Sequence, residues 1–185
     1  MSLVVNLLGG PGTGKSTLAA EVFVILKKKG ISCEYITEYA KDKTWEESTT
    51  TLSNQIYVFG KQHHKMFRVS NKVDVMICDS PLLFSIIYDG NKTKKGDNFY
   101  EHIIEEYNKF NNINFYLERT TKYDPVGRNQ TENESIEIDN QIQSILIDNN
   151  IEYYTYNRNH IRTKNSIILN SANDISEKIL NELNE

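Results

Sequence analysis

Residues 8–17 read LGGPGTGKST and directly follow the apolar run LVVNLL. Four of the nine glycines fall between positions 9 and 14, and Pro11, Lys15, Ser16 and Thr17 complete the stretch. An apolar run of this length reads as a buried strand, and residues 15–29 read as a helix with Leu18, Val22, Ile25 and Leu26 on one side. Between them, Gly9-x-x-x-x-Gly14-Lys15-Ser16 fits the pattern G-x-x-x-x-G-K-[ST] in its required strand–loop–helix setting. Glycines have no Cβ, so the backbone wraps closely and turns its N–H groups inward as an anion nest. The start of the following helix adds its positive end. The candidate cradle is Gly10, Gly12, Thr13, Gly14, Lys15, Ser16 and Thr17, stiffened by Pro11. Lys15 is expected to reach the β- and γ-phosphates, and the Ser16 hydroxyl to bind Mg²⁺. The ligand implied is a nucleoside triphosphate with its metal.

The rest of the chain sets this loop in an alternating pattern. Strands are expected at 31–37, 73–78, 113–117, 151–156 and 166–169. Helical patterns cover 45–69 (with a possible break at TTTLS), 82–88, 99–110, 134–149 and 175–183. Short apolar strands separated by helices argue for a parallel sheet covered on both faces. Neither an internal repeat nor a linker interrupts the pattern, so one domain over residues 1–185 is expected.

Composition narrows the function classes. The chain has 185 residues, 38% hydrophobic and 25% charged, with a net charge of −4. That balance describes a globular protein and weighs against a broad basic surface for long nucleic acids. No window has the roughly 18 apolar residues of a membrane span, and nothing at the N-terminus reads as a secretion signal. A cytoplasmic location is therefore expected. Cys33 and Cys78 read as reduced, buried thiols. His63 and His64 are adjacent on a helix and point apart, a poor metal pair.

A metal held by one hydroxyl and two phosphate oxygens needs a carboxylate. Asp79, at the carboxyl end of the strand VDVMIC, is the candidate, because ligands of open α/β sheets gather at that edge. It also suits a helix N-cap, and the two roles are compatible. Asn71-Lys72-Val73-Asp74 imitates a guanine-reading signature but enters a strand at the wrong point in the chain, so ATP is favoured over GTP. After the fourth strand, Arg119, Lys122 and Arg128 fall on a polar loop, a suitable source of charge for a phosphoryl group in transit. Arg128 is the candidate transition-state contact. Arg119 is a candidate for stacking on adenine or holding the phosphates.

Taken together, GGPGTGKST, TEYAKD, VDVMICDSP and DPVGRNQTENES resemble, in order and over nearly the whole chain, the P-loop kinases of nucleosides and nucleotides. Within them the chain is most similar to the AAA-type ATPase/kinase group that includes the nicotinamide riboside kinase domain. The resemblance implies a three-layer α/β/α P-loop NTPase fold with a five-stranded parallel core, ATP and Mg²⁺, and an arginine-bearing lid at about 119–133. Ser80 and Pro81 follow Asp79 where typical nucleoside monophosphate kinases carry an Asp-Arg pair. Opposite the ATP, Glu38 is well placed to contact an acceptor, and either Glu38 or Asp79 could orient or deprotonate it. Asp42, Trp45 and Gln55 could shape the pocket, and Tyr39 and Trp45 could stack on a base. The leading expectation is a kinase of a nucleoside or nucleoside monophosphate. The rivals are a 5′-hydroxyl polynucleotide kinase, with a channel built from Lys41, Lys43, Lys61 and Lys65, and an ATP-binding regulatory ATPase.

Overall fold

The structure is a computed structural model, and it describes residues 1–90, 93–120, 122–160 and 168–184. Five strands form one sheet: β1 (Leu3–Leu8), β2 (Cys33–Ile36), β3 (Val75–Cys78), β4 (Asn111–Leu117) and β5 (Tyr154–Tyr156), in the order β2-β3-β1-β4-β5. Every pair is parallel. Parallel strands are buried on both faces, which is why LVVNLL is apolar at almost every position. Its exception, Asn6, turns its amide to Asn112 and Asn114 of β4 at 2.9 and 3.0 Å.

Side-chain alternation divides the core into two layers. Leu3, Val5, Leu7, Val75, Ile77 and Phe115 face α1 (Lys15–Lys28) and α8 (Ala172–Asn184). Leu18, Val22 and Leu26 of α1 recur every fourth residue and are fully buried there. On the other face, Val4, Leu8 and Met76 meet α4 (Gln55–Phe67), α5 (Phe84–Tyr88), α6 (Asn98–Asn108) and α7 (Glu132–Asp148). The arrangement is the expected three-layer α/β/α sandwich. Among the described residues no helix is long and apolar enough to cross a membrane.

Three boundaries differ from expectation. The helical region anticipated at 45–69 is three helices: α2 (Tyr39–Trp45), α3 (Thr49–Leu52) and α4. Glu47 adopts φ +54 between the first two, a left-handed conformation no helix continues through. Helix α7 starts at Glu132 because Thr131 and Glu134 form a reciprocal capping box ahead of it. Strand β5 is confined to three residues. Of the strand expected at 166–169, positions 166 and 167 lie outside the described residues, and Leu169 makes an isolated parallel bridge to Tyr156.

β1 and β3 are neighbours with Asn6 opposite Cys78. The loop that begins at Gly9 and the turn that begins at Asp79 therefore leave the same edge of the sheet. The Asn71–Asp74 segment lies at the opposite edge, where Asp74 accepts from the Ser32 amide at 3.1 Å. It is the start of a strand, far from the glycine loop.

Candidate functional site

Gly14 caps α1 in a left-handed conformation, φ +91, which an L side chain rarely adopts. This turn folds Pro11, Gly12, Gly14, Lys15, Ser16 and Thr17 along one wall of a cavity of about 410 Å³. Its other walls include Glu38, Gln55, Phe84 and Tyr88, and it is roofed by residues Val126 to Gln130 of the polar loop. A volume of this size suits a small-molecule site.

Charge is concentrated where these walls meet. Lys15 donates from Nζ to the carbonyls of Gly9 at 2.6 Å and Gly10 at 3.0 Å. Burial lowers its pKa, while Glu38, Asp79 and Asp139 pull it back up. Glu38 shifts the other way: burial raises its pKa, Lys15 opposes the rise, and Asp79 adds to it. An ammonium and a carboxylate with opposed shifts in one cleft are the pattern of a reactive site.

Not every glycine-loop residue faces the cavity. The Gly10 amide donates to Asp139 Oδ1 of α7 at 2.5 Å, and the Thr13 hydroxyl donates to the Gly10 carbonyl at 3.0 Å. Arg119 is likewise absent from the cavity lining. Its guanidinium donates to Asp139 Oδ2 from Nε at 2.9 Å and Nη2 at 2.7 Å, and to the Pro11 and Ser135 carbonyls at 2.9 and 3.2 Å. These bonds commit it to bracing the outer side of the loop. Asp139 was not anticipated, although a carboxylate among Ser135, Ile138 and Ile142 on a buried helix face was a legible signal.

Asp79 is 4% exposed. Oδ2 accepts from the Tyr35 hydroxyl at 2.6 Å, and Oδ1 is buried without a hydrogen-bond partner. It does not cap α5, which starts after Leu83 with no side-chain cap. An orphaned carboxylate oxygen and the Ser16 hydroxyl at the start of α1 are hard-oxygen donors of the kind that fits Mg²⁺. Among the described residues no cluster of three His, Cys, Asp or Glu offers a rival metal site. His63 stacks between Phe59 and Phe67 and lies 3.3 Å from Glu106, within the α4–α6 packing.

The polar loop reaches across to α2. Gly127, at φ +69, presses so closely on Trp45 that an added Cβ would lie 2.7 Å from its ring. Asn129 donates to the Thr44 hydroxyl at 3.3 Å. Arg128 lines the cavity and curls onto its own loop, donating to the Asp124 carbonyl and lying 5.6 Å from the Tyr123 ring. The lysines considered for a channel are partly neutralised: Lys43 pairs with Glu46, and Lys65 with Asp42. Both flank Tyr39, whose ring packs edge-on against Tyr57.

Known proteins carry the same fold. The NadR protein in complex with NR superimposes with a TM-score of 0.64 at 15% identity, covering 98% of this chain and 51% of that one. The chain thus spans about half the length of that protein. Deoxyadenosine kinase from M. mycoides with bound dATP gives a TM-score of 0.53 at 22% identity, covering 98% of this chain and 99% of that one. No curated protein matches the chain in sequence. A family profile described as AAA domain matches residues 4–164. With its glycine loop on the first strand of a five-stranded parallel sheet, the chain belongs to this AAA domain family and has a P-loop kinase-like fold.

Proposed function

We propose that the protein is an ATP-dependent phosphotransferase that phosphorylates a nucleoside, ahead of a nucleoside monophosphate. The observation that carries this reading is the continuity of one cavity from the phosphate loop to Glu38. A donor triphosphate held by the loop and an acceptor beside Glu38 would share it with little room for water. The likeness in fold to a protein named as a deoxyadenosine kinase agrees with this assignment. Beyond the loop, the cavity is lined by Gln55, Val58, Gln62, Phe84 and Tyr88, a half-apolar surface suited to a flat heterocycle. An acceptor phosphate would bring negative charge beside the Glu38 carboxylate. A neutral hydroxyl is the better match.

In this mechanism Glu38, its pKa raised by burial, takes the proton of the acceptor hydroxyl. The acceptor oxygen bonds to the γ-phosphorus as the bond to the β,γ-bridging oxygen breaks, leaving ADP. Lys15 moves from the Gly9 and Gly10 carbonyls to the phosphates, and Arg128 uncurls from Asp124 to meet the developing charge. Gly12, Gly14 and Thr17 offer main-chain amides to the phosphates. Ser16 and Asp79 would hold Mg²⁺, which neutralises phosphate oxygens when bound. Gly10, Thr13 and Arg119 keep the loop in shape from behind.

The test incubates the protein with labelled ATP and a panel of nucleosides, nucleoside monophosphates and 5′-hydroxyl oligonucleotides. Transfer to a nucleoside is expected. Transfer to oligonucleotides alone would favour the polynucleotide reading. ATP binding without transfer to any acceptor would leave a regulatory ATPase.

A further inference from the structure

The partner of Asp79 is set by sheet register. Tyr35 of β2 lies opposite Ile77 of β3, and both turn toward the α1 face. Alternation along an extended chain returns Asp79, two residues past Ile77, to that same face. There the first turn of α1 presents Ser16. The Tyr35 hydroxyl donates to Asp79 Oδ2 at 2.6 Å. It is the hydrogen-bond donor the structure records on this carboxylate, and Oδ1 is left buried with no partner.

We propose that Tyr35 is a positioning residue for the metal: its phenol holds the Asp79 carboxylate in an arrangement that turns Asp79 Oδ1 toward the cation accompanying the nucleotide. The inference rests on Ser16 and Asp79 being the metal-holding pair. Two features support it. The phenol occupies the carboxylate oxygen that the metal does not need, as outer-shell partners of metal ligands do. The unpaired oxygen is also a liability that a cation, directly or through its bound water, would remove. The hydroxyl is what matters, because the ring packs into the α1-side core independently.

Tyr35→Phe deletes that hydroxyl and keeps the ring. The experiment titrates Mn²⁺ into the full-length protein saturated with ADP, reading free Mn²⁺ by electron paramagnetic resonance. ADP affinity is measured in parallel without metal, in the presence of a chelator. Asp79→Asn is the control, and circular dichroism checks the fold of both variants. The expected result is a loss of metal affinity of about 10-fold or more in Tyr35→Phe, with metal-free ADP affinity within about twofold of wild type. A weakening in Asp79→Asn with no change in Tyr35→Phe would overturn the positioning role and leave the metal pair standing. Equal weakening of metal-free and metal-dependent binding in Tyr35→Phe would make Tyr35 a packing residue, again overturning the proposal. No change in either variant would remove the metal pair and the proposal with it.

Discussion

Replacing Asp139 by alanine tests the brace behind the phosphate loop. One carboxylate takes the Gly10 amide on Oδ1 and two guanidinium nitrogens of Arg119 on Oδ2. The side chains of Arg119 and Asp139 are only 15% and 11% exposed, so solvent screens the pair weakly. Removing one member of a buried pair leaves the other charge uncompensated, at a typical cost of about 3–5 kcal/mol. The orphaned Gly10 amide adds to that loss. Arg119 keeps the Pro11 and Ser135 carbonyls, which holds the total near the lower end, about 3–4 kcal/mol. For a chain of this size that lowers Tm by roughly 6–16 °C. Urea unfolding followed by far-UV circular dichroism measures it, with an unchanged m-value as evidence of a two-state comparison. The double variant Arg119→Met with Asp139→Leu should recover part of the loss, because no buried ion is left unpaired. A single-variant loss below about 1 kcal/mol, the range of exposed ion pairs, would refute the brace.

Other perturbations separate chemistry from folding. Lys15→Ala should abolish phosphoryl transfer in a chain whose melting profile still shows a cooperative fold; an active variant would remove the phosphate cradle. Glu38→Gln should lower kcat by about 10²–10⁴. The same substitution should also raise stability at neutral pH relative to wild type. A carboxylate whose folded pKa is raised contributes stability that is present below its unfolded value and lost as pH rises through its folded value. Paired urea titrations at pH 4 and pH 7 should therefore show the gain at pH 7, and equal differences at both would contradict the burial of that charge. Arg128→Ala should reduce kcat far more than ATP affinity, whereas matching losses would make it a ground-state contact. Gly127→Ala should push the polar loop off α2 and shift the emission of Trp45, the single tryptophan, while an unchanged spectrum would mean the loop does not rest there.

Local physics made much of this protein readable before any coordinates. β1, the glycine loop and α1 are adjacent in sequence, and each depends on its own residues: apolar side chains at all but one buried strand position, four glycines without a Cβ, and apolar side chains every fourth residue. The helical region expected at 45–69 divides near where a break was expected, and α2 starts earlier, at Tyr39, with its exit turning through Glu47 at φ +54, a conformation to which apolar periodicity is blind. The capping box of Thr131 and Glu134 was present as T-x-x-E and could have set the start of α7.

Tertiary structure alone decided which charges meet. Arg119 and Asp139 are 20 residues apart, Tyr35 and Asp79 are 44 apart, and Gly10 and Asp139 are 129 apart. No local propensity joins such residues. They meet because five strands are ordered β2-β3-β1-β4-β5 and their registers align. The sequence by itself determined that a glycine loop of phosphate-binding pattern follows the first strand. Asp139 on α7 gave the Arg119 guanidinium its carboxylate partner, and the pairing of β2 with β3 brought a phenol to Asp79, because burial leaves a charged or polar group stable only where a distant partner can reach it.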